Sequence, residues 1–196
     1  MKILYLHGMA SSKEAHTANV LREHLFEDTI LAIDIPSEPY EALKVIFKTI
    51  CEFHPNIIIG TSLGGFYAMF FEGPWKILIN PALRPDEELI GILNSYGEHP
   101  YLKDREDGSK TFNFTKRDEE SFRILRNNFE SKIKDFDHVS QTYALFGYQD
   151  NIVNDREYFN KLFNSKHALT FMGGHRLNDE NIIHILIPLI DELREF

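Results

Sequence analysis

The residue types needed to attack a carbonyl carbon stand at the ends of short apolar runs. Gly60-Thr61-Ser62-Leu63-Gly64 places a serine between two glycines, after the apolar run Asn56 to Ile59 and before the helix-like Gly65 to Phe71. That context predicts a sharp strand-to-helix turn that presents the Ser62 hydroxyl. A hydroxyl is a weak nucleophile until a base removes its proton, and the base must be oriented by a third group. His175 follows Gly173-Gly174 after the last apolar run, and Asp150 follows Gly147-Tyr148-Gln149 after the run before it. Strand ends would therefore bring Ser62, Asp150 and His175 together as nucleophile, orienting acid and base. Asp155 is the other acid within reach, but its place near Asn154 predicts a helix cap.

Attack on a carbonyl also needs donors aimed at the developing oxyanion. The backbone N–H of Leu63 is one, and that of Met9, in the turn His7-Gly8-Met9 after the first run, is the other. His7 is expected to hold this turn by hydrogen bonds rather than act as the base. Asp34 reads as a loop organiser. Arg84 is a candidate for binding an acidic substrate group, with a structural salt bridge as the alternative. The nine histidines include no His-Glu-x-x-His, and the single cysteine, Cys51, gives no thiolate set, so no metal site is expected.

These positions need a frame. Six apolar runs, Lys2 to Leu6, Thr29 to Ile33, Asn56 to Ile59, Trp75 to Ile79, Gln141 to Phe146 and His167 to Phe171, alternate with stretches of helical periodicity. The pattern predicts an α/β fold: a mostly parallel sheet of about six strands with helices on both faces, and functional loops at the strands' carboxyl ends. Ser11 with Glu14 suggests a capping box. Pro39 to Phe53 is a predicted helix with Leu43, Ile46, Phe47 and Ile50 on its apolar face. A last helix from about Asp179 should kink at Pro188. Residues 82–139 are too long for an ordinary crossover and read as a cap insertion, or else as a long crossover with a decorative loop. Its Phe112, Phe114, Phe122 and Phe129 would line an acyl site or form plain core.

The chain of 196 residues is the length of one domain, 1–196, with no internal repeat or linker. Its formal charge of −9 disfavours nucleic acid and anionic membrane surfaces as partners. No stretch approaches the roughly 18 apolar residues of a membrane span, so no membrane insertion is expected. One cysteine forms no internal disulfide and suits a reducing compartment, with the cytoplasm as the expectation.

At Tyr5-Leu6-His7-Gly8-Met9-Ala10-Ser11-Ser12, Gly60 to Gly65 and Ile79-Asn80-Pro81-Ala82-Leu83-Arg84-Pro85, and onward to Asp150 and His175, the sequence resembles the serine α/β-hydrolases. More narrowly it resembles the YqiA-like (UPF0227) small serine esterases. The resemblance implies an α/β-hydrolase fold and hydrolysis of a small-molecule acyl ester or acyl thioester without metal or organic cofactor. A peptidase or C–C bond hydrolase on the same scaffold, and a binding protein that keeps the fold without turnover, are the alternatives.

Overall fold

The computed structural model describes residues 1–133 and 141–195. Strands β1 (Lys2–Leu6), β2 (Thr29–Ala32), β3 (Ile57–Thr61), β4 (Trp75–Ile79), β7 (Thr142–Gly147) and β8 (Ala168–Phe171) form one sheet in the order β2-β1-β3-β4-β7-β8. Every adjacent pair is parallel. The near-continuous apolar runs follow from burial on both faces, and successive side chains divide between two cores. Leu4, Leu6, Ile58, Leu78, Ala144 and Phe146 face one side, against α2 (Pro39–Phe53), α3 (Leu63–Ala68) and α5 (Lys116–Lys132). Ile3, Tyr5, Ile57, Ile59, Ile77, Ile79 and Leu145 face the other, against α1 (His16–His24) and the C-terminal helix.

Several local expectations are corrected. β3 runs on to Thr61, because the Thr61 backbone still pairs with Ile79, so the strand reaches the residue before Ser62. The Ser11 and Glu14 capping box does not form. Helix α1 starts only at His16 with no side-chain cap, and Ser12 Oγ instead accepts from the Glu14 N–H at 3.2 Å. Phe47 is exposed, leaving α2 with a narrower buried stripe of Ala42 and Ile46. Before Pro188 the chain opens into a π-helical turn over Ile182–Leu186, between a helical turn at Asp179–Asn181 and a helix at Ile187–Glu192. That wide turn accommodates the N–H that proline lacks.

Between β4 and β7 the chain forms α4 (Pro85–Leu93), an antiparallel hairpin of β5 (Gly97–Pro100) and β6 (Thr111–Phe114), and α5. Thr115 and Asp118 form a reciprocal capping box at the start of α5. Residues 134–139, the end of the expected insertion, lie outside the described residues. Phe112, Phe114, Phe122 and Phe129 are all buried within the first core. They are core, not cavity wall. Helix α6 (Arg156–Leu162) lies between β7 and β8. Among the described residues no helix is long and apolar enough to cross a membrane.

Candidate active site

Ser62 sits between β3 and α3 with φ 53° and ψ −119°, a conformation that a residue with a Cβ adopts only when its surroundings enforce it. The flanking glycines are that enforcement. A Cβ on Gly60 would lie 2.4 Å from the Gly64 carbonyl oxygen, and one on Gly64 would lie 2.1 Å from that of Leu6. The turn therefore closes on itself and on β1 only with both glycines. The Ser62 N–H donates to the Ile79 carbonyl at 2.9 Å, tying the strained residue to the neighbouring strand end.

His175 Nδ1 lies 2.8 Å from Asp150 Oδ2. Asp150 also accepts from the Ile152 and Val153 N–H groups at 2.8 and 3.2 Å. Burial raises the Asp150 pKa, but the bond to His175 and the two backbone donors outweigh it and hold the carboxyl below its usual range. The ring's position is set by a residue that the sequence reading passed over. Asn80 (φ 41°) donates through Nδ2 to the Gly174 and His175 carbonyls at 3.0 and 2.9 Å, while its Oδ1 accepts from the Gly147 N–H at 2.7 Å. One buried amide thus joins the ends of β4 and β7 to the loop after β8. An asparagine directly after a strand, before Pro81, was the available signal, since asparagine tolerates a left-handed backbone.

The turn after β1 abuts the elbow, where a Cβ on Gly8 would lie 3.1 Å from Ser62 Cβ. Neither the Met9 N–H nor the Leu63 N–H donates to another group among the described residues. Leu63 opens a helix, where the first N–H groups have no intrahelical acceptor. His7 holds the turn from inside, with Nδ1 2.7 Å from the Gly8 carbonyl and Nε2 accepting from the Ile35 N–H at 3.0 Å. Burial is the main cause that lowers its pKa to about 4, so the ring is neutral near neutral pH. Asp34 accepts from the Lys13 and Glu106 N–H groups, organising the adjoining loops.

Ser62, His175, Gly8 and Met9 line one cavity of about 600 Å³. Its apolar wall includes Leu89, Ile92 and Leu93 of α4, with Leu102, Ile152 and Leu177 around them. Arg84 is not part of that wall, which corrects its assignment as a substrate contact. Its guanidinium binds Asp155 through Nε at 2.8 Å and NH2 at 2.6 Å, and Glu87 through NH1 at 2.9 Å. Asp155 is corrected too. It stands at the start of α6, yet its side chain makes no cap bond and instead accepts from the Leu83 N–H at 2.6 Å and the Arg84 N–H at 3.2 Å. Asp155 is fully buried. Those partners follow β4, which lies beside β7 in the sheet but 72 and 71 residues away along the chain, so nothing near Asp155 in the sequence announces them. Among the described residues no group of three or more His, Cys, Asp and Glu is placed to hold a metal ion.

The parallel sheet, the elbow after its third strand and the loops gathered at its carboxyl ends define the α/β-hydrolase fold. Solved structures over essentially the whole chain share it. A putative hydrolase from Agrobacterium vitis matches with a TM-score of 0.70 at 17% identity, covering 98% of this chain and 87% of that one. The mouse alpha/beta hydrolase domain-containing protein 10 matches at 0.65 and 17%, covering 99% and 89%. A monoacylglycerol lipase from Paleococcus ferrophilus matches at 0.65 and 14%, covering 99% and 94%. Residues 2–186 match the model of the uncharacterised protein family UPF0227, and the chain belongs to that family.

Proposed function

We propose that the protein is a serine hydrolase that cleaves a carboxylic acyl ester or acyl thioester through an acyl-enzyme. One observation carries the reading: the strained Ser62 opens onto a cavity that His175, paired with Asp150 at 2.8 Å, also lines. Ser62 Oγ attacks the carbonyl carbon while His175 Nε2 takes its proton, and the oxyanion is met by the N–H groups of Leu63 and Met9. Collapse of the tetrahedral intermediate expels the alcohol or thiol, which receives the proton from His175. Water then attacks the acyl-enzyme with His175 again as base, releasing the carboxylic acid and restoring the Ser62 hydroxyl. Asp150 keeps the proton on Nδ1 and stabilises the imidazolium.

The apolar wall of α4 fits an acyl chain, and the described part of the insertion, residues 82–133, forms the cap of a single domain in this reading. The similarity to a monoacylglycerol lipase and to a thioesterase domain of the curacin pathway is consistent with acyl chemistry. The lone, exposed Cys51 suits the cytoplasm. The test is a fluorophosphonate probe used beside a panel of esters and thioesters of graded acyl length. The wild type is expected to label and to turn over at least one series, and Ser62→Ala to do neither while keeping its melting temperature. Robust labelling of Ser62→Ala would remove the nucleophile, and a wild type inert to the probe would point to a binding protein.

A further inference from the structure

Arg105 lies in the loop joining β5 to β6, and it is buried, with 8% of its surface exposed. No carboxylate lies within ion-pair distance of it among the described residues. Burying a guanidinium without a carboxylate in contact is costly, so its hydrogen bonds and ring contact are needed to hold it there. NH2 donates to the Ile35 carbonyl at 3.0 Å and NH1 to the Ser11 carbonyl at 3.3 Å. The guanidinium carbon sits 4.5 Å above the Tyr101 ring. NH1 also approaches His7 Nε2 at 3.5 Å. His7 and Ser11 flank the turn that carries Met9, and Ile35 braces His7 through its N–H.

His7 receives two donors at one nitrogen, the Ile35 N–H and Arg105 NH1. A nitrogen facing two donors carries no proton, and the Gly8 carbonyl opposite Nδ1 can only accept. The ring is therefore held as the neutral Nδ1–H tautomer. Beside it, Ala10 sits at φ 60°, a left-handed conformation for a residue with a Cβ, and its carbonyl accepts from the Leu102 N–H at 2.7 Å. The chain just before Arg105 thus pins the strained residue just after Met9.

We propose that Arg105 is a positioning residue for the oxyanion turn: by holding the Ser11 and Ile35 carbonyls and the bare Nε2 of His7, it fixes the ring that fixes Gly8, and so aims the Met9 N–H into the cavity. The proposal rests on the serine-hydrolase reading and adds a part of the insertion to its machinery. It differs from a plain strut by requiring one tautomer of one ring. The charged groups facing His7 are Arg105, which disfavours its protonation, and the Asp34 carboxylate, which favours it. Asp34 is in turn engaged by the Lys13 and Glu106 backbones, whose side chains pair beyond it.

Arg105→Gln and Arg105→Lys test this, with Arg105→Ala added where it folds. In the Gln variant kcat for p-nitrophenyl butyrate is expected to fall about 10-fold to 100-fold, short of the 10²–10³ that loss of an oxyanion donor costs, while KM changes less than about threefold. The Lys variant, which keeps charge and donors, should recover most of kcat. In parallel, ¹⁵N spectra of the histidines should show His7 as Nδ1–H across pH 5 to 8 in the wild type and as a mixed, titrating ring in the Gln variant. Both changes together support the clamp. A ring that moves without a kcat loss, a kcat loss with an unmoved ring, or a parallel collapse of kcat, KM and melting temperature that Lys does not relieve overturns it. A wild type that the fluorophosphonate probe does not label removes the hydrolase reading and with it the oxyanion role, while the His7 spectra still decide whether Arg105 sets the tautomer.

Discussion

Asp150 and Asp155 leave the same strand end and meet different partners. Asp150 holds His175 and two backbone N–H groups, so Asp150→Asn keeps the shape of the loop but favours the wrong imidazole tautomer. A fall in kcat on the order of 10⁴ is expected, as for the equivalent change in serine proteases, with melting little changed. Asp155→Asn takes the buried carboxylate from a partly exposed Arg84, which keeps Glu87, and weakens the bonds to the Leu83 and Arg84 N–H groups; it should cost about 1 to 2 kcal/mol of stability while the folded fraction keeps its kcat. Denaturant melts and kinetics on both variants decide it. If Asp155→Asn proved stable but inactive and Asp150→Asn stayed active, the acid would have to be reassigned. The placement of Ser62, Asp150 and His175 at strand ends was legible because each follows an apolar run that ends in loop residues. Arg105, Asn80 and the true partners of Asp155 were not, since their contacts join segments that no local pattern relates.

Helix α4 carries two properties that its sequence pattern does not separate. Its Ile92 and Leu93 face the cavity, whereas Phe112, Phe114, Phe122 and Phe129, which the sequence left open as acyl-site lining or core, are buried in the core. Chain-length preference should therefore respond to Ile92→Trp: kcat/KM for an octanoyl ester is expected to fall about 10-fold more than for an acetyl ester. Equal loss on both substrates would place the acyl chain elsewhere. On the same helix, Glu88 has a carboxyl oxygen sealed from solvent with no partner. Burial and the adjacent Asp155 carboxylate push its pKa from an ordinary 4.5 up to about 9. A carboxyl whose pKa is raised on folding binds more protons in the native state than in the unfolded chain, so its contribution to stability is full below about pH 4.5 and declines as pH rises toward 9. Glu88→Gln removes that decline. Relative to wild type, the variant should gain about 3 to 4 kcal/mol at pH 9 over its value at pH 6. A stability difference that does not change with pH would show that Glu88 is ionised in the native protein. The parallel strands were readable because burial on both faces makes them continuously apolar. The β5 strand, Gly-Glu-His-Pro, was not, because its register is set by pairing with β6 and its own residues do not alternate.

At the scale of the whole molecule, the two cores follow directly from strand alternation, and with them the sheet that the apolar runs predict. The order of assembly follows from a single side chain. The three bonds of Asn80 span 67, 94 and 95 residues of chain. No fragment of the polypeptide can make them until β4, β7 and β8 lie side by side, and contacts so distant form late because their loop entropy is lost before they repay it. The site is then the final product of folding. After dilution from denaturant, far-ultraviolet helix signal should return ahead of reactivity toward the fluorophosphonate probe, and Asn80→Ala should lengthen the lag. Coincident recovery of both signals would instead make folding one cooperative event. With the lag, chains released part-folded would hold their helices and bury much of their core while having no capacity to form an acyl-enzyme, so reactivity toward the probe would count only molecules that have finished folding.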